Sequence, residues 1–341
     1  MTALEALRGS YAPHEPILMG WGVLGLFAVL GAGFGLMHLA SKRPGLARVG
    51  SWLLVATGFG AATWGFANEP PGIRMLVIIG VVLYAMKAVV ATEEVIATKL
   101  KLTPVEWGAW AAGWPGMAPW VFAGWRARDG VSHDPSSSPV SFLLRGLVRL
   151  AFGASLIVCA HLAWAATGSL ILMTTLALPG ISLVLHFGIF NLACAFWRAL
   201  GVPVEALFVA PLASFHLKEF WGRRWNLPFT QMVQRAIFQP LRPVIGARGA
   251  ALAGFVFSGL LHECAISMPV QEGFGMPMLY FAIHGALVSL ERSTGLDDGL
   301  EKRPVLARAW TLFWLASPMW ILFHTPFLKG IVWPLVGVHV P

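Results

Sequence analysis

The stretch AALAGFVFSGLLHECAISM, residues 250–268, decides how this chain is read. It is almost wholly apolar and close to the roughly 20 residues that a helix needs to cross a bilayer. Yet His262 and Glu263 lie inside it. Ionisable groups at membrane depth are expensive, so they stand out as functional candidates. The plainer alternative is that both sit near a helix end and find water or a partner.

Composition generalises the reading. Of 341 residues, 57% are hydrophobic and 12% charged. Soluble domains carry about 25% charge, so lipid is the expected solvent. Eight stretches have the length and apolarity of spans: about 17–38, 47–66, 73–91, 142–165, 169–190, 249–268, 274–291 and 307–328. Two more, 103–125 and 192–212, are interrupted by Pro104, Pro115, Pro119, Gly201, Pro203 and Pro211. These are read as short, interfacial or re-entrant helices, and a full crossing by either would raise the count towards ten. The expected fold is an all-α polytopic membrane bundle in one domain, 1–341.

The net charge is +8. No basic run of nucleic-acid type appears. With eight spans and the N-terminus outside, most of the 24 Lys and Arg fall in loops on one side, among them Lys42, Arg43, Arg48, Lys99, Lys101, Arg126, Arg128, Arg235 and Arg292. The positive-inside rule makes that side cytosolic. The segment 129–139, DGVSHDPSSSP, reads as a loop. The first residues, MTALEALRGSYAPHEP, contain Glu5 and Glu15 and predict no removable signal peptide. No internal repeat supports an inverted-repeat transporter. Cys159, Cys194 and Cys264 are scattered and form no disulfide framework.

Several chemistries fail on spacing. A zinc HExxH motif needs a second His where Ile266 stands. Around Ser258 the sequence is Val-Phe-Ser-Gly-Leu, not a nucleophile elbow. His161, His186, His284 and His324 also lie in apolar segments. Each alone reads as a hydrogen-bonded packing residue. His161, His186, His262 and His284 on four helices raise the idea of paired haem ligands, for which the spacing gives no specific support. A transporter using intramembrane His, Arg and Glu as a proton or substrate path is the other rival.

HLKEFWGRRWNLPF, residues 216–229, crowds Lys218, Glu219, Arg223 and Arg224 among Phe220, Trp221, Trp225 and Asn226. An interfacial belt of aromatics and cations explains most of this. Asn226 alone would be read as a helix cap.

The pattern Phe220-Trp221-Gly222-Arg223-Arg224-Trp225-Asn226, followed by Ser258-Gly259-Leu260-Leu261-His262-Glu263, resembles the wax synthase family of membrane-bound O-acyltransferases. The close likeness covers about 212–265. It implies transfer of a fatty acyl group from acyl-CoA to the hydroxyl of a hydrophobic alcohol, with a catalytic core at about 212–268. Carried onto this chain, His262 is the catalytic base and Asn226 its partner, with Trp225, Ser258 and Glu263 in support. Lys218, Arg223, Arg224 and Trp221 are then candidates for holding acyl-CoA, although the cations serve topology equally well. A neutral imidazole can take the proton of an attacking alcohol, and an amide N–H can steady a developing oxyanion. Glu263 points about 100° away from His262 around a helix and is not expected to orient it. No metal or cofactor is called for. A long-chain alcohol, giving a wax ester, is the leading acceptor; a specialised metabolite or sterol-like alcohol is the alternative. The expected location is a bacterial inner membrane or its equivalent, with the acyl-CoA side cytosolic.

Overall fold

A computed structural model describes residues 2–127 and 138–340. Most of the predicted loop 129–139, and Arg128 beside it, lie outside the described residues. Among the described residues every regular element is helical.

Proline marks the helix starts. Pro16, Pro44, Pro71, Pro104, Pro139 and Pro304 each open a helix. There the missing N–H costs nothing and the fixed φ is already helical. These helices are α2 (Pro16–Ala40), α3 (Pro44–Gly65), α4 (Pro71–Thr98), α5 (Pro104–Ala111), α6 (Pro139–Thr167) and α11 (Pro304–Ala316). The others are α1 (Ala3–Tyr11), α7 (Leu170–Ala199), α8 (Leu227–Val270), α9 (Met276–Thr294) and α10 (Leu296–Glu301). Ser138 and Ser169 cap α6 and α7 through their hydroxyls. The N-terminal α1 was not expected from sequence; Thr2 and Glu5 close it with a reciprocal capping box.

All eight predicted spans are helical. Six helical stretches are long and apolar enough to cross a membrane: α2, α4, α6, α7, α8 and Pro304–Leu322. The stretches in α3 and α9 are helices of 22 and 19 residues that fall outside this set. The last span is broken at Ser317–Pro318, because proline cannot donate to a helix, and resumes as Met319–Leu322.

The two interrupted stretches resolve differently. Residues 192–199 are the end of α7, so this helix runs past the predicted 190. In 103–125 only α5 is α-helical, and its 8 residues reach about 12 Å, too short for a ~30 Å hydrocarbon layer. Lys87 of α4 explains how that segment stays in place. Its ammonium is fully buried and donates to the carbonyls of Trp110, Trp114 and Gly116 at 2.8, 2.5 and 3.0 Å. It also lies 4.4 Å from the Trp110 ring centre. All three donors of the charge are used, as burial of an ammonium demands.

Helices α2, α3 and α4 form one group, α6 and α7 a close hairpin, and α8 and α9 another. A Cβ on Gly153 of α6 would stand 2.8 Å from the Gly180 carbonyl oxygen of α7, so these backbones meet only through small residues. Two ion pairs made by buried carboxylates tie α4 to its neighbours at one end. Arg48 of α3 holds Glu93 bidentately at 2.5 and 2.8 Å, and Arg235 of α8 holds Glu94 at 2.5 Å. The start of α3, the end of α4 and the early turns of α8 therefore share one side. The positive-inside count assigned the three arginine-bearing loops to one side in the same way.

Helices α7 and α8 are not uniform. Leu183–Ile189, Gln234–Phe238 and Glu263–Ser267 are wider, π-helical turns. Gly246, at φ 71° and ψ 172°, bends α8 between its peripheral and inner halves. His262 sits directly before the last wide turn, a type of insertion frequent at functional sites.

Candidate active site

The segment 216–226 is more than a surface loop. Its first residues are anchored by Glu291, a fully buried carboxylate near the end of α9. Glu291 accepts the Leu217 N–H at 3.0 Å, the Lys218 N–H at 3.2 Å and the Trp310 indole N–H at 2.9 Å. From there the chain turns inward. Leu217–Glu219 is one helical turn, and Phe220–Arg224 is a wide π turn closed by Trp225 N–H to the Phe220 carbonyl at 2.8 Å. The Trp221 indole reaches His284, seven residues or about 10 Å further along α9, and donates to its Nδ1 at 3.1 Å. The motif thus descends from the end of α9 into the bundle.

Glu219 and Arg224 hold this turn. Glu219 accepts the Phe215 N–H at 2.8 Å and the Arg224 guanidinium at 2.7 and 2.6 Å. Burial would raise the Glu219 carboxyl, but the Phe215 N–H and the Arg224 charge outweigh it and keep it below its usual range. Arg224 also points at the carbonyls of Val209 and Ala210. It is occupied within the fold, whereas Arg223 and Lys218 are exposed.

Asn226 begins α8. It adopts the left-handed conformation, φ 44° and ψ 60°, which asparagine tolerates better than most residues. Its Oδ1 accepts the Phe229 N–H at 3.3 Å, so the cap reading of this residue holds. Spending Oδ1 on the cap fixes the plane of the amide and leaves Nδ2 as an oriented donor.

His262 faces the same residue from the far half of α8. Its ring lies 5.7 Å from the Phe229 ring and 4.3 Å from that of Phe281 on α9. Its Nδ1 is 2.7 Å from the Ser258 carbonyl oxygen. A carbonyl only accepts, so Nδ1 carries the hydrogen, and in the neutral ring Nε2 keeps its lone pair. Ser258 contributes this carbonyl; its hydroxyl donates to the Gly254 carbonyl at 2.8 Å.

Phe229 therefore links the two sequence candidates, its N–H on Asn226 and its ring against His262. Phe281 links His262 to Trp221, 5.5 Å from it. Trp225 turns the other way, packing 5.4 Å from His186 and 4.9 Å from Phe208. Glu263 does not orient His262, in line with the helical geometry. Its Oε1 accepts the N–H groups of Gly275 and Met278 at 2.8 and 3.1 Å and so caps α9.

The other intramembrane histidines have separate partners: His161 the Val336 carbonyl, His186 the Ser182 hydroxyl, and His324 the Ser267 hydroxyl. Among the described residues no group of three His, Cys, Asp or Glu is placed to hold a metal ion. Sequence reading missed Phe229, Phe281 and Glu291. Glu291 had a signal, an acid at the end of an apolar stretch; the two phenylalanines had none among so many.

Residues 204–283 match the model of the "Membrane bound O-acyl transferase family". That interval contains the 217–226 turn, Asn226, His262 and Phe281. The chain is 31% identical over 144 residues to "Probable long-chain-alcohol O-fatty-acyltransferase 2" of Arabidopsis thaliana, covering 39% of this chain and 42% of that protein. It is 31% identical over 105 residues to "Long-chain-alcohol O-fatty-acyltransferase" of Simmondsia chinensis, covering 27% and 29%. The homology to plant long-chain-alcohol O-fatty-acyltransferases thus bears out the resemblance read from the two motifs. The chain spans less than half the length of these curated relatives. Their plant origin lends nothing to a bacterial inner membrane; the apolar helices and the matched family make this a membrane protein.

Proposed function

We propose that this protein is a membrane-bound O-acyltransferase that moves a fatty acyl group from acyl-CoA to the hydroxyl of a hydrophobic alcohol. The single observation that carries the reading is the His262 Nδ1–Ser258 carbonyl bond, because it leaves Nε2 as a base within an apolar, aromatic-walled site. The homology over the matched region supports the same class.

In the proposed reaction the alcohol oxygen attacks the thioester carbonyl while His262 Nε2 takes its proton. The carbon becomes tetrahedral, and the Asn226 Nδ2–H donates to its oxyanion. Collapse breaks the carbon–sulfur bond. The proton on Nε2 passes to the departing CoA thiolate, leaving ester, CoA and neutral His262. The aromatic walls exclude water, which would otherwise hydrolyse the thioester. The steps need neither metal nor cofactor.

The whole chain serves as one membrane-embedded domain with its catalytic core at about 212–268. The arginine-rich side is cytosolic, where acyl-CoA is supplied. The acceptor is a long-chain alcohol and the product a wax ester, with a specialised metabolite or sterol-like alcohol as the alternative. The test is purified protein incubated with acyl-CoA and a panel of alcohols, with free CoA and ester measured together. Release of CoA without ester, or no release with any alcohol, would sink the reading.

A further inference from the structure

His284 is fully buried on α9, and no step of the proposed reaction uses it. Its Nδ1 accepts the Trp221 indole N–H at 3.1 Å. In the neutral ring Nε2 then carries the hydrogen, and this buried donor has no hydrogen-bond partner among the described residues. His161, His186, His262 and His324 bond instead to a backbone carbonyl or to a serine hydroxyl. His284 differs from them in being bonded to a side chain of the 216–226 segment.

Stability gives little reason for such a pair. Replacing both partners of a buried hydrogen bond by apolar groups of the same shape is nearly neutral. Geometry gives a stronger reason. Among the described residues the His262 ring makes one hydrogen bond, to the Ser258 carbonyl. One bond restrains an imidazole loosely. The Phe229 and Phe281 rings, 5.7 and 4.3 Å away, limit its remaining freedom. Trp221 braces both. Its carbonyl accepts the hydroxyl of Thr230, the neighbour of Phe229, at 2.8 Å. Its indole stands 5.5 Å from Phe281. Ring contacts with Phe255, Tyr280 and Phe281 hold the indole by area and leave its plane free to turn. The N–H bond to His284 fixes that plane, as a buried indole N–H requires a partner.

We propose that His284 is a positioning residue for acyl transfer: by accepting the Trp221 indole hydrogen it fixes the aromatic wall that aims the His262 imidazole at the reacting hydroxyl. This rests on the acyl-transfer reading above. It gives Trp221 a task beside His262 rather than on acyl-CoA.

The test uses the full chain in nanodiscs of phosphatidylcholine, with palmitoyl-CoA and hexadecanol as probes. His284→Asn places an amide oxygen where Nδ1 stands and keeps the acceptor; His284→Leu has a similar branched shape without one. His284→Leu should lower kcat about tenfold or more, with KM for both substrates within about twofold, because misaligned groups lose rate rather than binding. His284→Asn should keep kcat within about threefold of wild type. Trp221→Phe should resemble His284→Leu, and the double variant should be no slower than the slower single one, since both changes remove one bond. Wild-type kcat in His284→Leu, or equal losses in the Asn and Leu variants, would overturn the proposal. So would an unchanged kcat with a raised KM for palmitoyl-CoA alone, which would make Trp221 a donor contact. If His284→Leu does not fold, β-(3-benzothienyl)alanine at position 221 replaces it. This analogue keeps the shape of the indole and lacks only the N–H. It should lower kcat as His284→Leu would, and a wild-type rate overturns the assignment. Wild-type protein that forms no ester from any acyl-CoA would instead remove the acyl-transfer reading, and this proposal with it.

Discussion

His262 and Ser258 stand one helical turn apart on α8, and the imidazole Nδ1 donates to the Ser258 carbonyl oxygen at 2.7 Å. Ser258 is thereby useful through its backbone, which every residue type supplies. Ser258→Ala should keep this bond and retain activity within a few fold. It loses only the hydroxyl bond to Gly254. A loss of rate approaching that of His262→Ala would show that the hydroxyl itself acts.

His262→Ala removes the proposed base. General acid–base catalysis contributes about 10²–10⁴-fold, so ester formation should fall by at least that range. Thermal melting in detergent should stay close to wild type. A folded variant with the wild-type rate would end the general-base role.

Asn226 allows its two proposed jobs to be separated. Asn226→Ala loses both the cap, at about 1 kcal/mol, and the amide donor. Asn226→Asp keeps an oxygen for the Phe229 N–H but has no N–H to donate. It should melt near the wild-type temperature and yet turn over about 10²-fold more slowly or worse. If Asp restores the rate along with the stability, Asn226 is a cap alone.

Glu219 sets a pH dependence. Its carboxyl is held below the usual range in the fold, so its contribution is complete above the unfolded carboxylate pKa. That contribution is lost as pH falls through the lower, folded value. Melting temperature should therefore drop on acidification below about pH 4, and Glu219→Gln should show a flatter profile there with lower stability at pH 7. Matching slopes for variant and wild type would mean that the Arg224 pair adds nothing.

Lys87→Met replaces an ammonium by an apolar chain of similar length and leaves three buried carbonyls without their donor. Each orphaned acceptor costs about 1–3 kcal/mol. The variant should be more easily cleaved by protease within 112–125 before the bundle as a whole unfolds. Unchanged protection would mean that packing of Trp110 and Trp114 alone holds the segment.

Much of this was legible because lipid imposes a simple rule on sequence. A long apolar run must be helical, so the spans could be counted, and the prolines at 16, 44, 71, 139 and 304 mark their starts. His262 stood out because a polar residue in apolar surroundings is conspicuous, whereas Asn226, among charges, stood out only through the resemblance of the 220–226 and 258–263 motifs to the wax synthase family. Periodicity failed where helices widen. The π turns at 183–189 and 263–267 shift the helical phase, so no regular pattern shows which face a residue takes beyond them. The inward path of 216–226 was hidden for another reason: it depends on Glu291 and His284, more than 60 residues later, and such pairings leave no local trace.

The Lys87 bonds have a consequence for how the protein meets different bilayers. Spanning helices answer a thicker or thinner membrane by tilting. A segment resting on the headgroups would then slide against them. Residues 110–116 are instead fastened to the interior of α4, and Trp114 and Gly116 border Leu227 and Pro228, next to Asn226. When α4 tilts, that border tilts with it. The depth of the Asn226 end of the site is thus gauged from protein rather than from lipid, and the same site geometry is available in membranes of unequal thickness.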